Sequence, residues 1–313
     1  MSSIIKSKAT VLAILFAVTT LTLRPTALVG AEAQGKQGDV EAIRILKDVS
    51  YGPYGVRNLM DFYLPAPGTD AVAACPLVIC IHGGGWAGGD KGVYAPLGQA
   101  LVLRGFAAVS ITYRFAPEWH SPSQMDDVQR AVRWLRKNAK QYGLDPAHFG
   151  AIGGSAGGHL ASYLALTDAR DNTDAGLAGY SSQVQCAVDC YGPVDLVGMM
   201  HSASAPIVQN FIGKPLEGSE QDYRRASPMS HVKKDPPPFL IMHGTKDLGT
   251  SPGQVPIEQS IQFYEKLRQA DGDATLVKVE GAGHGFPTGG PTLYGQQTLP
   301  TVIGFFTKHL MGK

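Results

Sequence analysis

Apolar residues occur along the chain in two rhythms. Residues 76–81, 106–111, 149–152, 185–189, 238–242 and 275–279 are short, nearly uninterrupted apolar runs, the pattern of strands buried on both faces of a parallel sheet. Ahead of them, 43–47 and 60–65 read as antiparallel edge strands joined through the turn-rich stretch 51–55. Between most of the runs the apolar positions return with helical spacing. In 123–142, Met125, Val128, Val132, Leu135 and Ala139 share a face while Asp127, Arg130, Arg133, Lys137 and Lys140 lie elsewhere, and Gly143 stops the helix. Further helices are expected at 96–103, 156–166, 257–270 and 300–311, the first and last opened by a proline in the first turn, where it is tolerated. Strand and helix in alternation predict an α/β fold, a mostly parallel central sheet with helices on both faces and right-handed crossovers. Residues 196–232 break the alternation with mixed, turn-rich sequence and read as a small cap insertion or a long surface loop.

A chain of 313 residues, 44% of them hydrophobic, is long enough for one large α/β domain with a sizeable core. At the N-terminus, Lys6 and Lys8 precede an apolar run from Val11 to Leu23 and then small residues around Ala31 and Ala33. This is the layout of a secretory signal, the run being shorter than the roughly 20 residues of a spanning helix. The expected organisation is a signal peptide over 1–31, a single α/β domain over 32–313, and a secreted or periplasmic location with no membrane contact after cleavage. The formal net charge is +1. Losing Lys6, Lys8 and Arg24 with the leader leaves 24 bases against 26 acids, a net −2, so no nucleic-acid partner is expected. Cys75 and Cys80, if on one strand, lie roughly 16 Å apart and cannot bridge, and the same holds for Cys186 and Cys190 at roughly 13 Å. Buried free thiols are expected.

The chemistry concentrates at the ends of the apolar runs. In 149–160 a strand leads through Gly153-Gly154-Ser155-Ala156-Gly157 into a helix, a G-x-S-x-G pattern in which a tight strand-to-helix turn lifts the serine hydroxyl above the sheet. The N-terminal N–H groups of that helix point toward any negative charge forming there. His82-Gly83-Gly84-Gly85-Trp86 ends another run, and its consecutive glycines leave backbone N–H groups free to meet an oxyanion. Asp247 follows the run at 238–242, and His284, flanked by glycines, follows the last run. The ligand crevice of an open α/β sheet lies at these carboxyl ends. The order Ser155, Asp247, His284 is the nucleophile–acid–base order of α/β-hydrolases. His82, His159 and His243 are read as structural. No metal-ligand spacing and no G-x-G-x-x-G occur, so neither a metal nor a nucleotide cofactor is expected.

The set HGGGW, GGSAGGHLA, HGTKD and GAGHGF, with Tyr113-Arg114-Phe115-Ala116-Pro117-Glu118, resembles the α/β-hydrolase esterases across nearly the whole mature chain. The likeness is to the BD-FAE-like branch with bacterial feruloyl and acetyl-xylan esterases; it is looser to the hormone-sensitive-lipase-like esterases, which carry an aspartate where this chain has Gly154. The stretch 248–256 is longer than the link those esterases place after the acid. The resemblance implies an α/β-hydrolase fold and a serine carboxylesterase, with Gly84, Gly85 and Ala156 as the oxyanion hole. Trp86 and Trp119 are candidate platforms for a sugar or aromatic ring, with rim packing as the alternative. No strongly amphipathic helix stands out in 196–232, which suggests a polar cap and a soluble substrate: acetyl or feruloyl esters of plant carbohydrate. An arylformamidase or peptidase on the same scaffold, and an inactive carbohydrate-binding module, remain open alternatives; the oligomeric state is not legible.

Overall fold

The computed structural model describes residues 21–23, 43–67, 74–168, 174–286 and 293–312. Among the described residues nine strands form one sheet: β1 (Leu21–Leu23), β2 (Ile43–Ser50), β3 (Leu59–Pro65), β4 (Cys75–Ile81), β5 (Ala107–Ile111), β6 (Leu144–Gly154), β7 (Cys186–Cys190), β8 (Phe239–Gly244) and β9 (Ala274–Val279). Their order is β1-β9-β8-β7-β6-β4-β5-β3-β2, antiparallel where β3 meets β2 and β5, parallel elsewhere. Most of the expected leader lies outside the described residues; its Leu21–Leu23 segment pairs in parallel with β9 from Val277 to Val279.

Successive residues of a strand point to opposite faces, and both faces are covered. Leu77, Ile79 and Ile81 of β4 pack with α2 (Ser123–Lys137), α4 (Ala156–Leu166) and α7 (Ile257–Gln269), whereas Val78 and Cys80 pack with α1 (Ala95–Val102) and α8 (Leu293–Met311). This explains why the runs are apolar at every position instead of alternating. The four cysteines are free and buried. Those of β4 and β7 are separated by β6, roughly 10 Å at the usual strand spacing, beyond disulfide reach.

Three expectations change. The helix expected over 123–142 breaks into α2 and α3 (Ala139–Tyr142) at Asn138, whose side-chain amide donates to the Trp134 carbonyl at 2.8 Å, the competition that makes asparagine a helix breaker. α8 starts at Leu293, so Pro300 lies inside it and does not open it. Asp127, Arg130 and Arg133 are buried, not on a solvated face. Asp127 is matched by the Arg114 guanidinium, with a 2.8 Å ion pair.

The insertion is helical: α5 (Ala205–Ile212) and α6 (Glu220–Ala226) with short 3-10 turns at Gly198–His201 and Pro228–His231. It is a cap, and its lower face is apolar. Val208, Phe211 and Ile212 are buried, while Lys214, Glu217, Glu220, Asp222, Arg224 and Arg225 lie on the loop after α5 and on α6. The expectation of a polar cap is corrected here: composition averaged over the segment hid a two-turn amphipathic helix.

Candidate active site

Three loops and one turn at the carboxyl ends of β4, β6, β8 and β9 meet over the sheet. The turn after β6 places Ser155 at φ 57°, ψ −124°, a backbone conformation rarely adopted by a non-glycine residue. Its neighbours make this possible. A Cβ on Gly157 would lie 2.0 Å from the Ile81 carbonyl oxygen of β4, so only glycine lets α4 start this close to that strand.

Ser155 Oγ lies 2.9 Å from His284 Nε2, and His284 Nδ1 lies 2.6 Å from Asp247 Oδ2. With the carboxylate accepting from Nδ1–H, Nε2 is left to accept from the serine hydroxyl. Asp247 is fully buried. Burial works against its charge, but hydrogen bonds from His243 and His284 outweigh that and hold its pKa below the ordinary carboxylate value. Its Oδ1 accepts the Val255 N–H at 3.1 Å. His284 is steadied by Tyr191, whose ring meets the imidazole edge-on at 5.0 Å and whose hydroxyl donates to the Phe286 carbonyl at 3.0 Å.

The glycine loop after β4 runs beside the serine. Gly84 and Gly85 have φ of 112° and 58°, and among the described residues no acceptor is recorded for the N–H of either. Ala156 is the first residue of α4, and its N–H has no partner within the helix. These donors line the same cavity of about 850 Å³ as Ser155 and His284. Its walls include Val93, Leu97, Pro193, Met199, Ile207 and Val255, and among the described residues no lysine, arginine, aspartate or glutamate lines it. Among the described residues no group of three or more His, Cys, Asp or Glu is placed to hold a metal ion, and no helix is long and apolar enough to cross a membrane.

Both tryptophans are engaged in packing contacts. Trp86 lines the cavity but is 2% exposed, stacked on Phe211 with centroids 4.2 Å apart, and donates from Nε1 to His159 Nδ1 at 3.2 Å. It is a prop between the glycine loop and the cap. Trp119 is not among the cavity-lining residues; it sits by Tyr54, at 6.3 Å between ring centroids, on the loop that Arg114 ties to Asp127 of α2. His159 is wholly buried, with Nε2 donating to the Ala226 carbonyl at 2.8 Å, and burial lowers its pKa to about 4. Tyr191, Met199 and Ile207 were missed. Tyr191 follows a strand at the functional rim, a positional signal; the cap residues carry none.

A parallel sheet with this disposition of turn, glycine loop, acid and histidine defines an α/β-hydrolase. The BD-FAE family model matches residues 60–267, and the chain belongs to that family. It is 35% identical over 243 residues to the probable carboxylic ester hydrolase LipM of Mycobacterium tuberculosis, a match over 74% of this chain and 55% of LipM. The chain spans about half the length of the curated relatives it matches. Among solved structures it resembles a truncated carbohydrate esterase from gut microbiota, with TM-score 0.72 and 28% identity over 87% of this chain and 98% of that one. It also resembles Thermogutta terrifontis esterase 2 phosphorylated by paraoxon, with TM-score 0.67 and 26% identity over 85% and 94% of the two chains.

Proposed function

We propose that the protein is a serine carboxylic ester hydrolase working through an acyl-enzyme. The observation that carries this reading is the hydrogen-bonded line Ser155–His284–Asp247 at the floor of an apolar cavity. Ser155 Oγ attacks the ester carbonyl carbon as His284 Nε2 takes the hydroxyl proton; the N–H groups of Gly84, Gly85 and Ala156 receive the oxyanion. The C–O bond to the alcohol breaks, and the alcohol leaves with the proton held by His284. Water then loses a proton to His284, attacks the acyl carbon and releases the acid, and Ser155 regains its proton. Asp247 stays ionised throughout, orienting His284 and balancing the imidazolium.

The substrate is a neutral ester with a compact acyl group, acetyl or feruloyl, on a soluble carbohydrate. The wall without fixed charge suits the acyl part, feruloyl in particular because its ring gains from apolar surface. The neighbour named a carbohydrate esterase supports the sugar half. Export follows from the leader expected over 1–31, with 32–313 as the hydrolase domain; cleavage would uncover the β9 edge that Leu21–Leu23 pairs with.

The test is labelling with a fluorophosphonate, followed by hydrolysis of p-nitrophenyl esters of increasing chain length, emulsified triglyceride, and acetylated and feruloylated xylan. Labelling at Ser155, with acetate or ferulate released from xylan, is expected. An unlabelled Ser155 rejects the mechanism; kcat/KM climbing steadily into long chains, or interfacial activation, makes the protein a lipase.

A further inference from the structure

His243, the penultimate residue of β8, is completely buried and touches the acid of the site on the same oxygen as His284. Its Nε2 faces two acceptors, Asp247 Oδ2 at 3.1 Å and the Val255 carbonyl at 3.0 Å. A carbonyl cannot donate, and an ionised carboxylate cannot either, so Nε2 carries the hydrogen. In the neutral ring Nδ1 is then an acceptor, and the Ser260 hydroxyl on α7 lies 2.7 Å from it. Two imidazoles thus converge on one oxygen of Asp247, while Val255 donates to the other.

The arrangement is closed. Val255 gives its N–H to Asp247 and takes the His243 N–H at its carbonyl, so residue, acid and histidine form a ring that ties down the far end of the long 248–256 loop. Without His243, Oδ2 keeps a single donor, His284, and the Val255 N–H on Oδ1 loses the companion bond that fixes Val255, so the carboxylate is held less firmly against turning about its Cβ–Cγ bond. The His284 N–H would then lose a fixed acceptor, and its Nε2 would drift from Ser155, where about 1 Å of misplacement is costly.

We propose that His243, held by Ser260, is a positioning residue for this reaction: it orients the Asp247 carboxylate so that His284 presents Nε2 to Ser155. It keeps its Nε2 hydrogen through the cycle, and no proton passes to or from it. This role rests on the serine-esterase reading above.

Four proteins test it: wild type, His243→Phe, which keeps an aromatic ring and removes the donor, His243→Gln, whose amide nitrogen reaches where Nε2 stood, and Ser260→Ala. On p-nitrophenyl acetate, the Phe variant is expected to lose about 10- to 100-fold in kcat with KM within about 2-fold; the Gln variant should recover to within about 5-fold of wild type and Ser260→Ala to lose about 3-fold. In 15N-histidine-labelled wild type, His243 should be the Nε2–H tautomer. The Ser260 variant and the NMR measurement decide the matter even if the Phe variant fails to fold. Equal losses in the Phe and Gln variants, an unchanged kcat in the Phe variant, or an Nδ1–H tautomer overturns the role. These outcomes in an enzyme whose Ser155 takes the fluorophosphonate sink this inference alone; an unlabelled Ser155 overturns the esterase reading and this role with it.

Discussion

The floor and the roof of the cavity are built differently. The floor is backbone against backbone: β4, β6 and the first turn of α4 approach so closely that a methyl group on Gly153 would overlap the Gly157 carbonyl and one on Gly157 the Ile81 carbonyl. The roof is side chain against side chain, with Phe211 of α5 stacked on Trp86, and Ile207 close above Gly85. A backbone contact cannot repack around an added atom, whereas neighbouring side chains can shift rotamers. In the proposed reaction the chemistry rests on the part that cannot yield, and selectivity on the part that can. His159 couples them, accepting from Trp86 of the glycine loop and donating to Ala226 at the end of the cap.

The largest effect belongs to the floor. Ser155→Ala should lower kcat by about 10⁴-fold or more and leave the thermal midpoint nearly unchanged, since alanine fits the same turn and loses only the nucleophile. Steady-state kinetics beside a melting curve check this, and a residual rate above about a tenth of wild type would discard Ser155. Gly157→Ala should cost about 3 kcal/mol of stability in urea titration together with most of the activity. If the variant melted normally, the floor would be more pliant than the contact with Ile81 implies.

The link between floor and roof should respond to pH. In the unfolded chain His159 takes up a proton near pH ~6.5, but the folded protein resists until about pH 4, because complete burial strips the ring of the water that would solvate its charge, more than the Ala226 carbonyl offsets. Between those values the unfolded state binds more protons, so stability is complete above about pH 6.5 and declines as pH falls toward 4, by up to about 3 kcal/mol. Urea midpoints taken from pH 7 down to 4.5 should show that slope in wild type and a shallower one in His159→Gln. Parallel slopes would remove His159 from the account. The smallest effect belongs to the roof: Ile207→Ala opens the cavity wall and should raise kcat/KM for butyrate relative to acetate esters by about 5- to 10-fold, with stability changed by about 1 kcal/mol. An unaltered acyl-chain profile would place the acyl group away from α5.

The sheet and the order of the site residues were legible because each rests on a local rule. A strand buried on both faces must be apolar at every position, as 76–81 and 149–152 are, and a serine in so tight a turn must have glycine beside it. Since the crevice lies at the carboxyl ends of parallel strands, the residues just after those runs were the candidates, and Ser155, Asp247 and His284 do come together there. The place of Trp119, beside Tyr54 and outside the cavity lining, was not legible, because it depends on how the loop after β5 packs against residues far along the chain.

Short-range sterics and periodicity are thus written into the chain: which runs are strands, where the backbone must approach closely, and which side chains end up on one rim. Which groups separated by many residues share a hydrogen bond or a wall was settled only by packing. Packing turned α5 to make an apolar roof, buried Asp127 with Arg114, removed Trp86 from the surface by stacking it on Phe211, and brought His243, Asp247 and Val255 into one ring. These outcomes depend on desolvation and partner geometry, which exist only once the chain has closed on itself.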